Sequence, residues 1–105
     1  MRYNYFEMQV AAEAAGNGIA FPLSGADAVT IQVTGISGDT ITFESTVNGN
    51  DWVASRAAPI GTGTLATTAT ADGIYILEVP NVRAVRARIS TYSAGTIYVY
   101  GLSRE

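Results

Sequence analysis

The chain has 105 residues and a formal net charge of −3, with nine acidic residues, six arginines and no lysine, histidine or cysteine. Without histidine or cysteine, Ser-His-Asp and Cys-His catalysis and an ordinary zinc site are excluded within the chain, and no disulfide can form. The mild acidity argues against nucleic-acid binding, which requires neutralisation of phosphates.

The residue types favour β-structure. Valine, isoleucine and threonine number 9, 9 and 12 against 4 leucines, and β-branched residues suit pleated strands. Charged residues make up only 14% of the chain, well below the roughly one quarter usual in soluble domains. We therefore expect one all-β domain whose surface is partly covered by partners, with no enzymatic activity, metal, cofactor or small-molecule ligand.

The first 23 residues are predicted to form an N-terminal arm or edge strand. Alternation places Tyr3 and Tyr5 on one side and Phe6 on the other. Exposed aromatic residues are unfavourable in water, so these three are candidates for contact with a partner. Polar residues interrupt the apolar runs, and we expect neither a signal peptide nor a membrane span.

Two short elements complete this segment. Residues 11–16 are helix-like in composition but too few for a stable helix, so they are predicted to form a turn or a single helical turn. Residues 18–23 are predicted to add a short strand. Pro22 confines that strand to a sheet edge or a strand end because it has no backbone N–H to donate.

The middle of the chain shows period-two alternation and then a tight turn. The predicted elements are strands 27–34 and 40–47, the hairpin turn Asn48-Gly49, and a short return through Trp52 and Val53. Val47 is expected on the core side with Ile41 and Phe43. Residues 57–71, rich in Gly, Thr and Ala, are predicted to be a long connection with one weak strand.

Three further strands are predicted in the last third. They are residues 73–79, 84–91 and 95–102. The first of these has two nearly equally apolar faces, whereas the second points Arg86 and Arg88 outward. Strands of this spacing predict an antiparallel two-sheet β-sandwich or jelly roll over residues 24–105.

Several side chains have both a structural and a functional interpretation. Trp52 is expected in the core, with a sugar-stacking platform as the alternative. Tyr98 and Tyr100 share a strand face with Leu102 and either pack under a neighbouring segment or contact another subunit, which we favour. Asn48 and its neighbours are interpreted as turn-forming residues rather than as a calcium site.

The arginines are concentrated in one segment. Arg83, Arg86 and Arg88 are half of the basic residues. They are predicted either to pair with Glu44 or Glu78 on a solvated strand face or to dock on an acidic partner.

Two segments carry a family resemblance. In the hairpin the matching residues are Phe43, Glu44, Ser45, Asn48, Gly49 and Trp52, and in the second half Gly73, Tyr75, Val79, Val85, Arg86, Arg88, Ser90, Tyr92 and Gly95. Residues 24–105 thereby resemble the small β-sandwich virion proteins of tailed bacteriophages. The resemblance implies a structural protein on a capsid or tail, commonly trimeric and without a cofactor.

Together these points predict a capsid decoration or cement protein, made in the host cytoplasm and carried on the virion surface. Its expected partners are the major capsid protein and like copies in a homotrimer, with no nucleic acid and no membrane. The expected contact residues are Tyr3, Tyr5, Phe6, Arg86, Arg88, Tyr98 and Tyr100. The alternatives are a carbohydrate-binding module that uses Trp52 with Tyr98 or Tyr100, and a tail-tube or head-to-tail connector subunit.

Overall fold

A computed structural model describes residues 3–23, 28–79 and 81–104, and the regular structure in that part of the chain consists of β-strands. The strands are β1 (Tyr3–Ala12), β2 (Phe21–Pro22), β3 (Ala28–Thr34), β4 (Thr40–Thr46), β5 (Val53–Ala54), β6 (Ala57–Pro59), β7 (Thr68–Ala69), β8 (Gly73–Glu78), β9 (Ala84–Thr91) and β10 (Ile97–Arg104).

The strands form two antiparallel sheets. The first sheet has the order β1-β10-β3-β8-β6, and the second has the order β2-β9-β4-β5, with β7 also paired to β4. Strands from opposite ends of the chain pair successively, β1 with β10, β2 with β9 and β3 with β8, until β4 meets β5. Because β10 also pairs with β3 and β9 with β4, this long hairpin is wrapped into a jelly roll. The predicted all-β sandwich is confirmed.

The core lies between the two sheets and follows the predicted alternation. In β3 and β9 the side chains expected to point inward are buried, and the side chains between them are at least partly exposed, apart from Ala84 at the start of β9. The bulkiest fully buried side chains are Phe21, Phe43, Met8, Ile31, Ile41 and Leu77. Apolar burial on the facing sides of two sheets is the main stabilising contribution in such a sandwich.

The hairpin after β4 has a longer loop than the two-residue turn that Asn48-Gly49 predicts. The loop covers residues 47–52, and of the two turn residues only Gly49 has a positive φ, +86°. The Asn48 side chain, rather than a left-handed backbone at Asn48, holds this loop. Its Oδ1 accepts hydrogen bonds from the backbone N–H groups of Asn50 and Asp51 at 2.8 and 2.9 Å.

Two other predictions for the middle of the chain are wrong. Val47 is exposed rather than buried, because β4 ends one residue earlier and its alternation ends with it. Residues 57–71 contain two short strands, β6 and β7, instead of one. Ala57 and Ala66 exchange backbone hydrogen bonds of 2.9 and 3.0 Å, which ties the intervening loop to the edge of the first sheet.

The N-terminal segment is part of the sandwich. Strand β1 forms one edge of the first sheet and continues through Ala12, so the turn predicted from residue 11 begins later. Gly16 then exchanges backbone hydrogen bonds of 2.8 and 3.1 Å with Ile89 of the second sheet. Pro22 lies in the edge strand β2, as predicted.

Candidate interaction surface

The outer face of the first sheet carries a continuous row of weakly polar and apolar side chains. Strand register places Tyr5 beside Leu102, Leu102 beside Thr30, Thr30 beside Ile76, and Ile76 beside Ala58. We call these five residues the apolar strip. It crosses all five strands, a distance of about 19 Å at the usual strand spacing. No residue of the strip is charged.

Tyr100 and Tyr98 extend the strip along one side and form a ladder with Tyr5. The rings of Tyr5 and Tyr100 have centroids 6.2 Å apart with an interplanar angle of 19°, and those of Tyr100 and Tyr98 are also 6.2 Å apart, at 15°. Tyr5 is 61% exposed. Partial desolvation, followed by the charge of Glu7 and the neighbouring Tyr100, raises the pKa of Tyr5 above its ordinary value of 10.0. The Tyr5 phenol is therefore neutral at physiological pH.

Two open depressions lie along the strip. The smaller, about 240 Å³, is lined mainly by Tyr5, Thr30, Gln32, Ile74, Tyr100 and Leu102. The larger, about 510 Å³, is lined by Ser55, Arg56, Ala58, Leu65, Ile76 and Glu78. Their volumes suit single side chains or short segments of a partner, and side chains that fill such pockets dominate many protein interfaces.

Charged groups lie around the strip rather than within it. Glu7 is beside Tyr100 in the next row across the sheet, and Arg104 is beside Tyr3 at the far end of β1. Glu78 and Arg56 line the larger depression beside Ile76 and Ala58. An apolar centre with a charged rim is the usual arrangement of a protein-protein interface.

The structure separates Phe6 from the two tyrosines with which it was grouped. Tyr3 and Tyr5 are exposed on the outer face, whereas Phe6 turns inward and is half-buried. Its ring stacks on Phe21 with centroids 5.3 Å apart. This corrects the expectation that Phe6 contacts a partner: the alternation that exposes Tyr3 and Tyr5 turns Phe6 toward the core.

Arg86 and Arg88 lie on the opposite side of the sandwich, on the outer face of the second sheet. Both donate from Nε to the same oxygen, Oε1 of Glu44, at 2.7 and 3.3 Å. Of the two acidic partners predicted from the sequence, Glu44 rather than Glu78 pairs with these arginines. Because the two sheets face away from each other, these arginines and the tyrosine ladder cannot contact the same flat partner surface.

Trp52 is neither in the core nor an open platform. It is half-buried beside β5, and the Arg86 guanidinium lies 4.3 Å from the centre of its ring. The prediction of a core tryptophan is wrong, because Trp52 falls in the loop before β5 rather than within a strand. It also lies on the sheet opposite to Tyr98 and Tyr100, so the predicted joint sugar platform cannot form.

The predicted contact residues include only Tyr5 of the five strip residues, and the apolar neighbours Ile74 and Leu65 of the strip were missed as well. Ile74 and Ile76 were not among them, although the apolar character of both faces of residues 73–79 was the signal that one face needs a cover. Ala58 and Leu65 come from the low-complexity connection, where no period indicates which side chains point outward. Only the register of β6 with β8 places Ala58 beside Ile76.

In residues 3–23, 28–79 and 81–104, no group of three or more His, Cys, Asp or Glu side chains is arranged to hold a metal ion. In the same residues, no helix has the length and apolar character needed to cross a membrane.

Comparison with known proteins identifies relatives of the fold. The sequence matches no protein-family model and no curated protein. Among solved structures, the SPBc2 prophage-derived protein YomS is similar with a TM-score of 0.88 and 16% identity, over 97% of this chain and 92% of YomS. The PBSX exported protein XepA is similar with a TM-score of 0.91 and 19% identity, over 97% of this chain but only 37% of XepA. The chain thus shares the fold of nearly all of YomS and of about a third of XepA.

Proposed function

We propose that this chain is a non-enzymatic structural protein of a bacteriophage particle, and specifically a capsid decoration protein. It docks on the major capsid protein through the outer face of the first sheet. The observation that carries the proposal is the apolar strip, which crosses the whole sheet without a charge and continues into the tyrosine ladder.

The size of the strip supports a role in assembly. The strip is about 19 Å long, and together with Tyr100, Gln32 and Ile74 in the neighbouring row it covers roughly 300 Å², the size at which an exposed apolar patch on a monomer is often functional. A stable interface buries about 800 Å² on each partner, so the strip supplies the centre and the charged residues around it supply the rim. The role requires burial and hydrogen bonding only.

The phage assignment has separate support. The fold extends over nearly all of a protein described as prophage-derived, and the sequence resembles phage virion sandwiches in both its hairpin and its second half. The proposal includes association of three copies, which the resemblance implies, and a place on the virion surface. It includes no nucleic acid, membrane or cofactor.

Co-sedimentation with capsids of its own phage that lack the protein tests the proposal. We expect the wild-type chain to sediment with the capsids, and Tyr100→Lys and Ile76→Lys each to reduce binding at least about tenfold, since each places a charge in the desolvated centre. Thr68→Lys, on an exposed position of the second sheet, is the matched control and should bind normally. Unchanged binding by both Tyr100→Lys and Ile76→Lys would show that another surface docks.

A tail subunit is the competing assignment within the same structural class. Purified tails serve as the second binding target in the same experiment. Strip-dependent sedimentation with tails and not with capsids would keep the strip as the assembly surface and move the protein to the tail.

A further inference from the structure

The second sheet carries a cationic cluster whose donors are mostly unused. The cluster consists of Arg86, Arg88, Glu44 and Trp52. In the part of the chain that the structure describes, the two contacts with Glu44 are the only ion pairs. Two guanidinium groups on one carboxylate leave one excess positive charge on a chain whose net charge is −3.

Both arginines keep donors that a ligand could use. A guanidinium has five N–H groups, and each of these arginines uses Nε on Glu44. The other N–H groups reach solvent, because no buried side-chain nitrogen or oxygen among residues 3–23, 28–79 and 81–104 lacks a hydrogen-bond partner. Glu44 and Trp52 already hold Arg86, so binding a further acceptor would cost little side-chain entropy.

The neighbouring side chains indicate what kind of acceptor fits. Arg86 lies in a row with Glu44 and Ala54, and Arg88 lies in a row with Thr42 and Thr68. Neither row contains a large aliphatic side chain. A protein interface normally has an apolar centre, which these two rows lack. Guanidinium groups, hydroxyls and the edge of an indole instead match a ligand that carries both an oxyanion and hydroxyl groups.

We propose that this cluster is a binding site for an anionic glycan, whose carboxylate or phosphate group is bound by Arg86 and Arg88 and whose hydroxyls meet Thr42 and Trp52. The site lies on the face opposite to the apolar strip, so it stays accessible when the strip is covered. The inference stands on the second sheet alone and does not depend on the capsid proposal.

The position of Trp52 provides the measurement. Trp52 is the single tryptophan and lies under Arg86, so an anion bound to Arg86 changes the charge beside the indole and with it the emission of Trp52. Polygalacturonate is the anionic glycan probe, dextran is the neutral glycan, and poly-L-glutamate is the anionic peptide. We expect a saturable change with polygalacturonate that weakens as sodium chloride is added, no change with dextran, and at least about fivefold weaker binding of polyglutamate.

Two variants move the affinity in opposite directions. Arg88→Gln should weaken polygalacturonate binding about tenfold, the usual effect of losing one charge-assisted hydrogen bond, whereas Arg104→Gln on the first sheet should leave it unchanged. Glu44→Gln should strengthen binding, because the amide oxygen of Gln still accepts from the guanidinium groups but carries no negative charge to compete with the charge of the ligand. Thermal unfolding checks that each variant is folded at the assay temperature.

The proposal is overturned by any of three results. These are no fluorescence change with polygalacturonate, equal binding of polyglutamate, or binding that survives Arg88→Gln in the folded variant. Saturable binding that Arg88→Gln weakens and Glu44→Gln strengthens supports it.

Discussion

Glu44 on β4 and Arg86 on β9 lie directly opposite each other in the second sheet, and Arg86 Nε donates to Glu44 Oε1 at 2.7 Å. Glu44 is only 8% exposed as a residue, while the Arg88 side chain that shares its oxygen is 35% exposed. Burial of a carboxylate costs desolvation free energy, and the attraction to a paired cation offsets that cost. When the main cation is removed, the cost remains and less of it is offset. The two arginines should therefore differ in their effect on stability.

Arg86→Ala should lower the free energy of unfolding by about 2 kcal/mol, since it leaves Glu44 with one longer contact and uncovers Trp52. Arg88→Ala should cost less than about 1 kcal/mol, as is usual for an exposed pair. Urea denaturation at neutral pH measures both. Equal losses in the two variants would contradict the assignment of Arg86 as the main partner of Glu44.

Phe6 and Tyr3 test the inward and outward sides of β1. Phe6→Ala should destabilise the fold by about 2 kcal/mol, because the ring stacks on Phe21 and packs against the core. Tyr3→Ala should change stability by less than about 0.5 kcal/mol, because Tyr3 is 60% exposed. Thermal or urea unfolding of the purified variants distinguishes the two effects. A larger loss of stability in Tyr3→Ala than in Phe6→Ala would show that Tyr3 rather than Phe6 faces the core.

Gly101 in β10 is required by close packing. A Cβ there would lie 2.5 Å from Cδ2 of Phe21 and 3.1 Å from Sδ of Met8, both in the core. Gly101→Ala should therefore destabilise by about 2 kcal/mol through overpacking. Gly16→Ala is the control, because a Cβ at that position meets nothing within 4 Å. Equal effects of the two substitutions on the unfolding midpoint would contradict the claim that close packing requires Gly101.

Asp39 makes the fold sensitive to acid. Its side chain accepts backbone hydrogen bonds from Ser37, Ser93 and Ala94, and these hold its pKa below the ordinary value of 3.8. Because the folded pKa is the lower one, this contribution is present above the ordinary value and is lost as pH falls through the folded pKa. Urea midpoints between pH 7 and pH 2.5 should fall more steeply for the wild type than for Asp39→Asn. Identical slopes would exclude Asp39 as a contributor.

The proposed trimer has a defined mass. Light scattering behind size exclusion should give about 33 kDa, three times the 11.0 kDa chain, over a wide dilution range. A monomer at every concentration would remove the trimer from the proposal.

The strands were predictable where one face is exposed to solvent and the other is buried. Period-two alternation located β3, β4, β8, β9 and β10, because a half-buried strand requires it. The short strands β6 and β7 were not resolved, since their sequences are small and uniform and their pairing partners are distant in the chain. The prediction of a two-residue turn at Asn48-Gly49 was wrong for a related reason. The Asn48 side chain organises a longer loop, and the preference of the Asn-Gly dipeptide for turns does not report loop length.

The surface was predictable only in part. Alternation separated Tyr3 and Tyr5 from Phe6 and put Tyr98 and Tyr100 on one face. Assigning residues to one sheet or the other requires the pairing of distant strands. For that reason the sequence did not show that Trp52 and Tyr100, which it offers together as possible platforms, lie on opposite sheets.

The central claim is that the outer face of the first sheet is covered in the assembled particle, and hydroxyl-radical footprinting with mass spectrometry tests it most directly. The free chain and the chain in intact particles are labelled in parallel. We expect Tyr5, Tyr98 and Tyr100 to be labelled in the free chain and protected several-fold in the particle, while Trp52 on the opposite sheet is labelled equally in both. Equal labelling of the three tyrosines in the free chain and the particle would contradict the account.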